Sequence, residues 1–536
     1  MVSFSKKQII WLTAIESMVA LLCLYYALIT PAVFQSLLSE CCFIALCVSL
    51  MALVGVAFVL LFVKKTQLYK VFILLGFGFG LLSCLINTPG SVPDEPNHAA
   101  NIYLWSNRLL LLPEKRAQVQ NNPVYIEVDS VMRRSDAENA GVYLREESSI
   151  DSYRQILKKT NWFNSKSENQ LVDATLRDHN VTPIIYLPAI IGFTVARLLS
   201  LGYYPMVMLA RLMMLAFYVF AASWSIKKIP VGKMTLFITA LLPMGLHMAA
   251  SLSYDAVILA LAMMTFAYIM YLAYGEKEKI GAREWVTMLV LTILLAPCKV
   301  GVYLPIVLLL LMVPRAKLNG GMRFFWFFTA VVTAGVASLI ITNLPALSLA
   351  TERPPIVNSA GKALITSNWA LHHPVGVWSM MLNTVSLNLS KWVQGAIGYS
   401  LGFFSIPIES WVVVGFELCL VSSIFHEEGV QPLTPAPFHR LLLLVPVVLC
   451  LVMFLAGMMV WWTPQGANQI EGIQGRYFIP MIPLVLFAIP QVSFKLSLKR
   501  GDIQFPKRGF SQILALACVV LNSASLLIQA TVILSR

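Results

Sequence analysis

Pro93-Asp94-Glu95-Pro96-Asn97-His98 sets two adjacent carboxylates and an imidazole close together, the side-chain types that general acid and base chemistry uses. Three other short stretches carry comparable groups: Ser253-Tyr254-Asp255, the lysine of Pro297-Cys298-Lys299-Val300-Gly301, and Gln474-Gly475-Arg476-Tyr477. Taken singly, each has a plain structural explanation. The acidic pair fits a proline-restricted turn with a helix cap, and Asp255 fits capping chemistry ahead of an apolar run. Lys299 could lie along lipid headgroups and Arg476 could anchor a helix end. His372 and His373 are weaker candidates. The functional reading rests on where the intervening elements put these residues.

Those elements are apolar. Of 536 residues, 58% are hydrophobic and 12% charged, and the mean hydropathy is +0.75. A soluble domain carries about twice that charged fraction, so the composition is that of an integral membrane protein. The expected fold is all-α and polytopic, with about 13 spanning helices. They are expected over 9–29, 42–63, 71–86, 207–226, 235–252, 256–274, 285–296, 302–313, 324–342, 410–425, 441–460, 477–492 and 513–534. The span 71–86 holds no charge and ends at Asn87-Thr88-Pro89-Gly90, which stops a helix and delivers Asp94 and Glu95 near the membrane surface. The stretch 102–112 that follows reads as a helix lying at the interface.

The net charge of +13 is dispersed in short basic connections, among them Lys64-Lys65, Lys227-Lys228, Arg315 with Lys317, and Lys499-Arg500. This is the positive-inside pattern, which sets orientation and argues against a nucleic-acid partner. The first apolar run follows Lys6-Lys7 and reads as a signal anchor. With the N-terminus in the cytoplasm, the basic connections return there and Asp94, Asp255, Lys299 and Arg476 all fall on the outer face. To keep that order, the apolar stretch 183–201 must re-enter or lie at the interface, as its prolines allow. The hydrophilic stretches 87–182 and 343–409 face outward, the second holding an amphipathic segment over 375–396. The nine cysteines lie mostly in apolar runs without metal-ligand spacing and read as packing residues. The domain organisation expected is an N-terminal pair of spans (1–70), a core with its outer loop (71–343), a second outer loop (344–409) and C-terminal spans (410–536).

Ionisable groups at a membrane boundary are costly unless paired or solvated, and independent structural features need not all gather on one face. Four groups do so here. Pro93-Asp94-Glu95-Pro96-x-His98, Ser251-Leu-Ser-Tyr-Asp255, Pro297-x-Lys299 and Gln474-Gly475-Arg476-Tyr477-Phe-x-Pro480 together resemble an uncharacterised family of bacterial polytopic membrane proteins. That family is related to the GT-C glycosyltransferases, which use polyprenyl-phosphate sugars. The first three motifs also resemble the broader GT-C pattern, from which the extra N-terminal pair of spans is a departure.

The resemblance implies a bacterial inner-membrane transferase. It would move a sugar, with inversion, from a polyprenyl-phosphate or diphosphate donor to a cell-envelope glycan or polymer outside the cytoplasm. Asp94 is then the expected base, Glu95 its alternative, and His98 an orienting partner. Lys299 and Arg476 would meet the leaving phosphate, and Asp255 would orient sugar hydroxyls or hold a cation, with Tyr254, Gln474 and Tyr477 lining the site. No cofactor is expected; a divalent metal bridging Asp94, Glu95 and Asp255 is conceivable, but metal-independent transfer is favoured.

Two other readings compete. A flippase for a lipid-linked glycan would carry internal repeats and deep charges, whereas no repeat is found and Arg211 is the one cation inside an expected span. A non-catalytic scaffold of an envelope polysaccharide complex would not need its outer charges to converge. An intramembrane protease lacks support, since His426-Glu427-Glu428-Gly429 is not HExxH.

Overall fold

A computed structural model describes residues 4–116, 126–143, 147–178, 181–350, 362–425, 435–491, 494–498, 501–505 and 509–536. His426-Glu427-Glu428-Gly429 and the basic residues Lys499, Arg500, Lys507 and Arg508 lie outside the described residues. The chain opens with three apolar helices, α1 (Lys6–Ile29), α2 (Leu37–Phe58, extended by a π turn through Val63) and α3 (Leu68–Ile86). A capping box starts α1: the Ser5 hydroxyl accepts from the Gln8 amide, and the Gln8 side chain accepts from the Ser5 amide. Helix α3 ends at the extended Asn87, and Gly90, at a φ of 91°, completes the turn.

The hydrophilic segment that follows departs from the all-α expectation. It holds α4 (Glu95–Leu109), strands β1 (Lys115–Arg116) and β2 (Ile126–Arg133), helices α5 (Arg134–Tyr143) and α6 (Ile150–Lys159), and β3 (Leu171–Asp178). The strands form an antiparallel sheet in the order β1-β2-β3, with Val128 opposite Leu176. Alternation of burial along β3 seats the sheet against α4. A buried ion pair, Arg133 Nε to Asp136 Oδ2 at 2.6 Å, locks the unit, and Tyr103 on α4 donates to the same carboxylate at 2.7 Å.

A 3₁₀ turn, Pro183–Tyr186, leads into α7 (Leu187–Leu198), which packs on α4 and on α8 (Tyr203–Lys228). Together the turn and α7 form an apolar helix shorter than a full span, with Leu187, Ile191, Val195 and Leu198 exposed along one stripe. The expected 235–252 span is two short helices, α9 (Lys233–Ala240) and α10 (Pro243–Ala249). Pro243 breaks it, since proline has no amide hydrogen and clashes with the preceding turn. The carbonyls near the break are satisfied by neighbours: Tyr218 donates to Ala240 and Asn522 to Leu241, each at 2.9 Å.

Helix α11 (Asp255–Tyr274) is buried on almost every side and packs against α8 and α12 (Ala282–Leu295). A tight turn, Cys298–Gly301, then reverses the chain into Leu304–Met312, which is 3₁₀ rather than the expected α-helix. The rest comprises α13 (Gly321–Ala350), α14 (Ser367–His372), α15 (Pro374–Ile397), α16 (Ser410–Ser422), α17 (Pro437–Trp461), a 3₁₀ segment Gly475–Met481 running into α18 (Ile482–Ala488), and α19 (Phe510–Leu534), with two short antiparallel strand pairs, Ser400–Leu401 with Ile406–Pro407 and Phe494–Leu498 with Gly501–Phe505. Among the described residues, eight helices are long and apolar enough to cross a membrane: α1, α2, α3, α8, α11, α13, α17 and α19. The molecule is thus a mostly helical, multi-pass membrane protein, and the remaining expected spans are shorter pieces.

Candidate functional site

The adjacent carboxylates of Asp94 and Glu95 part company. Glu95 turns inward and is fully buried against Arg211 of α8, which is equally buried. The pair is bidentate, with Arg211 Nε to Oε1 and Nη2 to Oε2 both at 2.8 Å. Backbone amides of Gly90 (2.7 Å) and Leu252 (3.0 Å) also donate to the Glu95 carboxylate, and that of Val92 does so at 3.4 Å. Arg211 spends its remaining donors on the carbonyls of Asn87 (2.7 Å), Thr88 (3.0 Å) and Cys84 (3.4 Å). A buried charge pair is tolerable when its hydrogen-bonding capacity is filled in this way. It ties the end of α3, the start of α4, α8 and the segment after α10 into one frame. Both oxygens of Glu95, the alternative base of the sequence reading, are committed within this frame.

Asp94 turns outward. Its side chain is 55% exposed, and its backbone sits in the left-handed region at a φ of 64°. It precedes α4 without making a side-chain cap, so capping does not account for it. Its nearest cation is Arg476, with Nη2 3.7 Å from Oδ2.

Asp255, the first residue of α11, is also free of capping duty, which the Ser253 hydroxyl takes by accepting from the Asp255 amide at 3.4 Å. Its carboxylate lies between two cations, Lys299 Nζ 2.7 Å from Oδ1 and Arg476 Nε 2.8 Å from Oδ2. All three side chains are largely buried. The distances are those of contact ion pairs, and two cations share the one carboxylate. Asp255 Oδ1, Lys299 Nζ, and Arg476 Nε and Nη1 are buried without an aligned hydrogen-bond partner among the described residues. Burial pushes the Lys299 ammonium down to about 8, against the opposing pull of Asp255.

Local backbone explains both cations. Lys299 and Val300 hold consecutive left-handed conformations, with φ of 46° and 54°, before Gly301 at 84°. This tight reversal aims Lys299 back at Asp255, its Nζ 3.3 Å from the centre of the Tyr477 ring. Arg476 is placed by the close approach of Gly475 to α15, where a Cβ would stand 2.4 Å from the Trp392 carbonyl oxygen. Aromatic groups floor the site. His98 Nδ1 lies 2.8 Å from the Tyr186 hydroxyl, and the His98 ring meets Tyr254 edge-on at 4.9 Å.

Asp94, His98, Tyr254, Asp255, Lys299, Gln474, Arg476 and Tyr477 therefore gather at one end of the helices. His372 and His373 stay exposed and contact carbonyls of their own helix turn. Of Asp94, Glu95 and Asp255, which a bridging metal would have to share, Glu95 faces Arg211, while Asp94 and Asp255 both face Arg476 and Asp255 also faces Lys299. Arg211 and Tyr186 were not expected at the site. Arg211 carried a signal, as a cation inside an expected span, whereas Tyr186 carried none.

Fold and composition define a multi-pass membrane protein with a polar site at one end of its helices. The chain belongs to the family described as "Predicted membrane protein (DUF2142)", whose model matches residues 77–485 and so takes in every residue of this site. No curated protein and no solved structure matches the chain.

Proposed function

We propose that the protein is a metal-independent glycosyltransferase of GT-C type, moving a sugar from a polyprenyl-phosphate or diphosphate donor to an extracytoplasmic envelope glycan. The observation that carries this reading is the pair of buried cations, Lys299 and Arg476, held side by side by the single carboxylate of Asp255, with Arg476 Nη1 buried and unpartnered, beside an exposed Asp94. An ammonium and a guanidinium together carry more N–H donors than one carboxylate can use, and a lipid phosphate supplies several further oxygens at once. Asp94 holds Arg476 only at long range, so an arriving phosphate takes that contact and leaves the carboxylate free.

In the step itself, Asp94 accepts the proton of the acceptor hydroxyl while that oxygen bonds to the anomeric carbon. The bond from the anomeric carbon to the phosphate oxygen breaks, and its electron pair leaves on the phosphate, where Lys299 and Arg476 stabilise it. Displacement of this kind inverts the anomeric centre. His98, Tyr186 and Tyr254 set the wall against which the sugar is oriented, and the Glu95–Arg211 frame fixes the turn that carries Asp94.

The test compares lipid-linked and surface glycans of cells carrying the intact protein with those carrying Asp94→Asn at matched membrane levels. Loss of one sugar with accumulation of its polyprenyl-linked donor is the expected result. An unchanged glycan would make Asp94 structural, and donor trapped on the inner leaflet would point to a flippase. Outside labelling of Lys228→Cys in intact cells would reverse the orientation.

A further inference from the structure

Arg476 does not face only the reacting centre. Its other side borders a cavity of about 320 Å³ between α15 and the segment leading to Gly475. Asn388, Lys391, Tyr399, Phe404 and Gln474 contribute to the lining. The cavity is of the size that holds a sugar ring with substituents.

Three features of the lining point to one ligand chemistry. Tyr399 and Phe404 are 43% and 49% exposed, presenting ring surface where an apolar sugar face can rest. Buried Gln474 Oε1 has no hydrogen-bond partner among the described residues and needs a donor, which a sugar hydroxyl provides. The charges in the lining are Lys391 and Arg476, with no carboxylate among the lining residues, and Lys391 makes no ion pair among the described residues. Arg476 Nη1 is likewise buried and unpartnered.

From this juxtaposition we infer that the cavity is the acceptor subsite and that it takes an anionic saccharide, one bearing a carboxylate or phosphate that Lys391 and Arg476 receive. The inference rests on the transferase reading and adds the class of acceptor to it. The acceptor enters across α15, while the lipid phosphate occupies the Lys299 side of Arg476, so the two substrates share that guanidinium from opposite sides. Asn388 is kept in register by donating to Gln469 at 3.2 Å and to the Thr384 carbonyl at 3.0 Å.

Saturation-transfer NMR on the full-length protein in lipid nanodiscs tests this, with glucuronic acid, glucose 6-phosphate and glucose as probes. The two anionic sugars should give signal and glucose far less. Lys391→Gln should weaken them about tenfold while short-chain prenyl phosphate still binds, which also certifies the fold of the variant. Equal signal from glucose, or anionic binding unmoved by Lys391→Gln, overturns the inference. Adding prenyl phosphate separates the two sources of a sugar: simultaneous binding supports an acceptor subsite, whereas mutual exclusion assigns the cavity to the donor and overturns it. Asp94→Asn should keep sugar binding intact, so failure of the transferase step is read separately from failure of the subsite.

Discussion

Two buried charge clusters sit close together and differ in how their hydrogen bonds are spent. Around Glu95 and Arg211 both carboxylate oxygens and all three guanidinium nitrogens are engaged, six of the contacts being to backbone groups at 2.7 to 3.4 Å. Around Asp255, Lys299 and Arg476 one carboxylate serves two cations, and Arg476 Nη1 is buried with no acceptor among the described residues. The first cluster is closed and holds the fold. The second is open, and its unspent donors are what a substrate can use. Near-identical residue types therefore take opposite roles, and the difference is one of geometry.

The largest effect should come from breaking the closed cluster. Arg211→Met or Glu95→Gln leaves a buried partner uncompensated and should cost about 3–5 kcal/mol, read as loss of folded protein and a lowered Tm in detergent. The double variant should recover part of that loss, because neither charge is then stranded. Arg476→Gln in the open cluster leaves Asp255 with Lys299, so it should cost only about 1–2 kcal/mol of stability. Its transfer rate should nonetheless fall about 10²–10³-fold.

Asp94→Asn sharpens the contrast from the other side. A half-exposed side chain whose cationic contact is 3.7 Å long supports little stability, so Tm should stay within about 1–2 °C of the parent. Transfer should fall about 10²–10⁴-fold, the usual worth of a general base. A large drop in Tm would place Asp94 with Glu95 as a structural residue.

The sequence revealed the membership of the open cluster better than its partition from the closed one. Asp94, Asp255, Lys299 and Arg476 were legible because charges interrupt apolar runs at loop positions of one side. That Glu95 would turn inward was not legible, since adjacent residues leaving a turn point apart and nothing local says which is buried. Its partner Arg211 lies 116 positions away. The broken helix at Pro243 was signalled by the proline itself, but hydropathy carried the expected span straight through it. The α/β character of the segment after α3 was missed because β2 and β3 alternate charged and apolar residues, as a solvated loop also does.

A third contrast concerns pH. Lys299 is held down to about 8 by burial, so its ammonium is complete well below pH 8 and is lost as pH rises through that value. Transfer at low donor concentration should therefore decline on an alkaline limb near pH 8. Saturating donor should move the limb upward, because a bound phosphate favours the charged lysine. Lys299→Arg should abolish the limb over this range, whatever it does to the absolute rate.

The smallest effect tests whether the open cluster is held in place by strain. A left-handed conformation costs a non-glycine residue roughly 1–2 kcal/mol, and Val300, β-branched and 63% exposed, gains no burial in return. Val300→Gly relieves that cost but adds about 0.5–1 kcal/mol of backbone freedom to the unfolded chain, leaving a net gain below about 1 kcal/mol. If the strained turn serves to aim Lys299 at Asp255, the glycine variant should be slightly more stable and weaker toward donor, with KM raised more than kcat is lowered. Lys65 offers the control, with a similar φ of 47° in the α2–α3 connection and no part in the site. Lys65→Gly should gain the same small stability with donor affinity unchanged. An identical response at both positions would mean that the turn at Val300 is only a way of reversing the chain, and that Asp255 alone positions the lysine.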